Sequence, residues 1–298
     1  MTETRESSVL TSTDSIARHD VSESSLAIRR LLALIGKTVF LAFVLAFFAI
    51  PVLWLVAAPF DSHPRLSVKL PEFTLNNFVV LFRDSSALSS LGNSVLLAFG
   101  TMVLVLVLGS LASYALSRVR IPGREVLLYS LLLLSSIITG TAAMVPTFLL
   151  MVRLNLIDNQ LGVILVLSAG VLPTVIFILK DFMDTTPKSY EESARLYGAK
   201  PLRILWDVVI PIARPGLATV SVWAVVQVWG NFLIPFILLR SPGKSPAAVV
   251  MYTFYTEGGQ PNLALISAFS LVFSLPVVAM YFFVNRRYGF RFHGGIKS

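Results

Sequence analysis

Cysteine is absent from the 298 residues, which excludes a disulfide framework and any thiolate metal site. Histidine is nearly absent: His19, His63 and His293 fall in separate terminal or loop regions, and their spacing builds no metal cluster. Charge is scarce as well. Asp, Glu, Lys and Arg make up 13 % of the chain against 55 % hydrophobic residues, and the mean hydropathy is +0.78. That balance belongs to a polytopic membrane protein rather than to a soluble globular one. The two Gly-Lys pairs, Gly36-Lys37 and Gly243-Lys244, have Leu31 and Leu238 where a phosphate-binding loop needs its leading glycine, so neither reads as a nucleotide site. No nucleophile stands out beside a base. The expectation is a chain that is not an enzyme and holds no metal or cofactor.

Long apolar runs are what remains. Six stretches carry no Asp, Glu, Lys or Arg: Thr38 to Phe60, Ser85 to Ser117, Val126 to Val152, Asn159 to Leu179, Pro215 to Leu239 and Gly258 to Asn285. The first begins too far from the N-terminus and runs too long for a signal-peptide core, and its 23 residues can cross a hydrocarbon layer roughly 30 Å thick. Allowing for polar ends and tilt, the runs predict transmembrane helices near 38–60, 93–117, 126–151, 160–179, 217–239 and 263–284. The expected fold class is all-α, with six spans. Small residues such as Gly109 and Ser113, four apart, suit close approach between helices.

Six crossings put both termini on one side. With that side cytoplasmic, the inner segments hold 18 Lys and Arg and the outer loops hold 6, which favours both ends inside. The formal charge of +8 is therefore read as orientation in a lipid bilayer, not as affinity for nucleic acid. Residues 1–30 form a polar, Ser-, Thr- and charge-rich tail, 31–285 the membrane domain and 286–298 a short C-terminal tail, both tails cytoplasmic. None of the six predicted spans contains an ionisable carboxylate, Lys or Arg, which counts against a proton-driven carrier, although sodium can be held by neutral oxygens. A passage driven from outside the chain is the remaining suggestion.

One polar segment stands apart, at 180–215 on the cytoplasmic side. Its core, 191-EESARLYGAKPLRILWDVVIPIARP-215, holds three acids, four bases and three prolines. Connections between packed helices are usually much shorter. Thr186 and Pro187 read as the N-cap and first residue of a helix whose Tyr190, Ala194 and Tyr197 share an apolar face. Gly198 interrupts it, and Pro201 can open a second helix carrying Leu202, Leu205, Trp206 and Val209 on one side until Pro211. The pair is either a surface feature covering its own bundle or a docking element for another protein. Gln227 and Asn231, four apart in the fifth run, either line a polar path or tie two helices together.

EESARLYGA, followed at a fixed distance by VVIPIARP, resembles the EAA loop of permease subunits in bacterial ABC importers. The match runs through Glu192, Ala194 and Gly198, with Ser193 where Ala is usual and Tyr197 where Asp is usual. The stretch 93-NSVLLAFGTMVLVLVLGSLASYALSRVRIPGR-124 is similar to MalG-like permeases of carbohydrate importers in its Asn-Ser start, LASYALSR end and IPGR turn. In 229-WGNF-232 the family commonly has Trp-Asn-acid-Phe, so Gly230 and Asn231 depart from it, and 294-GGIKS-298 resembles its Gly-x-Val-Lys-Gly tail. The resemblance covers nearly all of the chain after residue 30.

What the resemblance implies is a type I ABC importer permease fold, MetI-like, in a bacterial inner membrane. Glu192, Ala194 and Gly198, with the flanking Glu191 and Ala199, would lie on a coupling helix seated on one of two separate ATP-hydrolysing subunits. Gly294 and Lys297 would belong to a tail reaching the same interface, where the residues alone read equally as a solvated chain end. The stretch 240–262 would face an extracellular or periplasmic solute-binding protein, and a homologous MalF-like permease would supply the other half of the pathway. Sugars or related polyols are the implied substrate. An importer of glycerol phosphate or polyamine, a self-contained secondary carrier and a membrane scaffold stay as alternatives.

Overall fold

The computed structural model describes residues 33–62, 72–119, 121–138, 141–256 and 262–288. The tail at 1–30, all three histidines, residues 258–261, and Gly294 and Lys297 lie outside the described residues. The chain divides into two units, up to Ala57 and from Ala58 onward. The first contains the body of helix α1 (Ala33–Phe60), apolar around its whole circumference, as suits a helix surrounded by lipid.

The second unit is all-helical among the described residues: α2 (Asn76–Arg83), α3 (Ser85–Arg118), α4 (Arg124–Ile138), α5 (Met144–Arg153), α6 (Gln160–Asp184), α7 (Lys188–Leu196), α8 (Pro201–Ile212), α9 (Arg214–Trp229), α10 (Leu233–Leu238), α11 (Ala247–Thr256) and α12 (Leu263–Tyr288). Asp84 starts α3 by accepting the amides of Ser86 at 2.8 Å and Ala87 at 3.3 Å, two of the donors a helix start leaves free. The core is α3 laid along α6, with α9 packed against both. Val105, Val171, Val175, Leu179, Val220 and Ala224 fill one layer of it. In lipid such contacts hold by close packing rather than by expulsion of water, which is why small residues matter. At Gly109 an added Cβ would lie 2.5 Å from Val175 Cγ1.

Of the six expected spans, four correspond to single long helices. Among the described residues four helices, α1, α3, α6 and α12, are long and apolar enough to cross a bilayer, and a fifth only if α8 and α9 are taken together across an 82° bend. The run at 126–151 is divided between α4 and α5, with the 3-10 turn Thr141–Ala143 leading into α5. The run at 217–239 is divided between α9 and α10. Proline explains both positions. Pro146 and Pro235 each sit in the first turn of the second piece, where a missing N–H has no partner to lose; inside a continuous helix each would orphan a carbonyl one turn back. Asn231 Oδ1 fills the second gap by accepting the Ile234 amide at 3.2 Å. Pro173 and Pro276 are absorbed within α6 and α12, and the Trp229 indole N–H donates to the Phe273 carbonyl (2.9 Å) in the turn that Pro276 loosens.

Candidate functional site

The polar segment folds as α7 and α8. The first begins at Lys188 with Pro187 as its N-cap, one residue later than the Thr186 start expected from sequence; the Thr186 hydroxyl is instead buried with no partner. Gly198 closes the turn at φ +76°, and a Cβ there would meet nothing within 4 Å. The glycine is thus required by its left-handed backbone, not by a crowding neighbour. Behind it the Ala199 amide donates to the Ala194 carbonyl at 3.1 Å, which terminates α7. Pro201 opens α8 as expected. Over Leu205–Val209 the helix widens to a π turn, with the Ile210 amide donating to Leu205 O, just before Pro211 interrupts the ladder. The chain then turns 82° into α9.

That geometry separates residues the periodicity had grouped. Ala194, Ile204, Leu205 and Val209 face inward onto Tyr114 of α3 and Met183 of α6. Tyr190, Leu196, Tyr197, Leu202 and Trp206 face outward, Leu196 at 89 % and Tyr197 at 93 % exposure. Tyr190 and Tyr197 therefore do not share a face with Ala194, and Leu202 and Trp206 do not share one with Leu205 and Val209. Tyr197 lies past the last residue of α7, and on α8 the π turn shifts the helix phase, which a regular period cannot anticipate. Glu192 and Gly198 are exposed with the outward set and Ala199 is half-buried. Five large apolar side chains raised on a polar segment are an unusual surface for a connection left in water.

Glu191 is placed differently from its neighbour. It is 2 % exposed, and its carboxylate is gripped by Arg118, itself 9 % exposed, through Nε and Nη2, each at 2.6 Å from Oε1. The Tyr114 hydroxyl donates to Oε2 at 3.1 Å. Arg118 Nη2 also donates to the carbonyls of Met183 (3.0 Å) and Thr186 (3.3 Å), and Nη1 to Ser117 Oγ (2.8 Å). Ser117 bonds in turn to Asp184, which Lys180 pairs at 2.7 Å. Sequence reasoning missed Arg118 and Tyr114. Their i, i+4 spacing at the end of α3 was the available signal, but a base at the end of a span reads first as a topological anchor.

Gln227 is exposed on the last turn of α9, whereas Asn231 lies beyond the helix end and caps α10, so the two do not share one helical face. At the other end of the bundle Asp158, in the left-handed region at φ +54°, gathers the 240–245 loop. Its carboxylate accepts the Ser241 hydroxyl (2.6 Å), the Arg240 and Ser241 amides (both 3.0 Å) and Lys244 Nζ (2.9 Å). Those donors, the Ser241 hydroxyl foremost, hold Asp158 well below the usual carboxylate range. Asn93, whose Oδ1 receives Gln160 Nε2 at 2.9 Å, donates to the carbonyls of Gly243 (2.8 Å) and Ser245 (3.1 Å), and Ser94 Oγ receives the Ala247 amide at 2.8 Å. Beyond that staple the expected outer stretch is not an open loop: α11 buries Ala247, Val250 and Phe254 against Leu81, Ala87 and Phe269.

A bundle of whole and broken apolar helices, crossed at one end by a polar two-helix segment, has the all-α permease fold of ABC importers. It superposes on a chain from the crystal structure of a bacterial ABC transporter involved in import of the acidic polysaccharide alginate with a TM-score of 0.72, at 23 % identity, over 86 % of this chain and 96 % of that one. Residues 128–290 match the binding-protein-dependent transport system inner membrane component family, and the chain belongs to that family. It is 30 % identical over 216 residues to the maltodextrin transport system permease protein MdxG of Bacillus subtilis, covering 72 % of this chain and 77 % of that one. It is 28 % identical to the trehalose transport system permease protein SugB of Mycobacterium tuberculosis, over 82 % of this chain and 90 % of that one. Like these relatives it is a multi-pass membrane permease rather than an enzyme.

Proposed function

We propose that this chain is the transmembrane permease subunit of an ATP-driven importer for sugars or related polyols, forming half of the translocation pathway beside a homologous MalF-like permease. The observation that carries the reading is the α7–α8 segment: an exposed set of Tyr190, Leu196, Tyr197, Leu202 and Trp206, with Glu192 among them, on a base fastened to α3 and α6. Such a face suits the cleft of a separate ATPase, two of which would serve the paired permeases. The maltodextrin and trehalose relatives support a sugar as cargo. The Asp158 staple holds the 240–245 loop where an extracellular or periplasmic solute-binding protein would approach, and Gly294 and Lys297 are proposed to reach the ATPase interface. We read α4 with α5, and α9 with α10, as two broken spans, giving six crossings within 31–285 and both tails in the cytoplasm, because irregular backbone at membrane depth is tolerated where protein or water shelters it. Gln227 and Asn231, at the second break, are candidates for the pathway lining.

Gly198 provides the test. Coexpressed with the partner permease and the ATPase, Gly198→Asn is expected to retain the complex and binding-protein-stimulated ATP hydrolysis, since Asn tolerates a left-handed backbone. Gly198→Val, β-branched at positive φ, is expected to lose stimulation. Intact assembly and stimulation in the Val variant would defeat the coupling assignment.

A further inference from the structure

The outward face of the α7–α8 segment explains what a partner would touch, but not why a glutamate one residue away is buried. Glu191 points into the chain and contributes nothing to the exposed set. Its partner Arg118 stands where three elements meet: Glu191 on α7, the Met183 and Thr186 carbonyls at the end of α6, and Ser117 on its own helix α3. Tyr114, one turn back on α3, holds the second carboxylate oxygen. As adhesive this is a poor choice, because an apolar pair of similar volume holds helices together as well or better. What a forked guanidinium adds is angle: its planar donors fix orientation as well as distance, and parting it from Glu191 leaves an unpaired charge inside the protein. Arg195 approaches the same carboxylate only at 3.9 Å and is 57 % exposed, so it cannot replace the clamp.

We propose that Arg118 is a positioning residue for coupling. It sets the orientation of α7 on α3 and α6 together, so that a displacement imposed on the α7–α8 face reaches two spans as one rigid motion. The proposal rests on reading that face as the ATPase contact, but its test does not need the ATPase.

The chain lacks cysteine, so spin labels on Lys188→Cys and Leu96→Cys, both exposed, report the distance from the segment to the N-terminal half of α3. The measurement is made in lipid nanodiscs on the full chain coexpressed with its partner permease. A narrow distance distribution is expected. Combining Arg118→Met with Glu191→Met removes both charges and keeps bulk; a broadened distribution is expected, together with a several-fold loss of stimulated hydrolysis once the ATPase is added. A distribution as narrow as the original overturns the proposal, since packing alone would then orient the segment. Should the double substitution fail to fold, Arg118→Lys is measured in the same way. An ammonium cannot fork to Glu191 and both carbonyls at once, so broadening supports the clamp and an unchanged width overturns it. The Gly198 variants test the ATPase contact separately, and the two failures are distinguishable.

Discussion

Two adjacent acids, Glu191 and Glu192, are indistinguishable by composition, yet one is sealed in an ion pair and the other meets water. Helical geometry makes the difference, turning successive side chains about 100° apart, so that only one of the two can face Arg118. Substituting Arg118 alone with an apolar residue would strand the carboxylate, a loss on the order of 3–5 kcal/mol where a buried pair is broken from one side. Asp158 shows the opposite case, a carboxylate whose partners are mostly backbone amides and hydroxyls near the surface. Its native pKa is depressed, so the contribution of the carboxylate is whole above the unfolded value near 4 and fades only as pH falls through the lower native value. Hydrogen-exchange protection of the Arg240 and Ser241 amides should therefore stay level from about pH 8 down to about pH 5. Asp158→Asn should lower it throughout that range, and a drop already at neutral pH in the unsubstituted chain would contradict the assignment.

Gly198 was legible in the sequence as a turn, and its positive φ gives the reason. Arg118 was not, because nothing local distinguishes a base that orients a span from one that clamps a neighbour. At the level of elements, charge marked the end of α3 at Arg118, whereas α6 runs past the expected end at Leu179 and Lys180 to Asp184. The breaks were not read: neither carries a charge, although Thr139-Gly140-Thr141 and Gly230-Asn231 lie at them and Pro146 and Pro235 follow in the first turn of each second piece. The phase slip at Leu205–Val209 was equally hidden, since a π turn carries no composition of its own. A close helix approach was anticipated at Gly109, and the partner there is α6. Gly109→Val places branched carbon against Val175, and overpacking of this kind costs about 1–3 kcal/mol. A lowered thermal midpoint of the purified chain in detergent would register it, whereas an unchanged midpoint would show that α3 and α6 can part there without penalty.

On the scale of the whole molecule, sequence and structure agree on a helical membrane bundle and on a structured polar crossing at one end. They differ in how many helices are continuous: a span built from two pieces, as proposed for α4 with α5 and for α9 with α10, would satisfy the bilayer by total length while no single piece meets it. The proposed six-crossing arrangement makes a direct prediction: a reporter active only in the cytoplasm should work when fused after residue 30, after Asp184 or at Ser298, and should be silent when inserted at Asn155 or Gly243. Activity at Asn155 would put an even number of crossings before it and overturn the arrangement.

The interruption between α9 and α10 has a consequence for the life of the chain. Gly230 is exposed there, and Asn231 supplies only one of the bonds that a continuous helix would have made. Facing hydrocarbon, such backbone has no solvent to complete it. Should a homologous permease shelter the break, as proposed, a copy without that companion would leave this stretch of main chain uncovered in the bilayer.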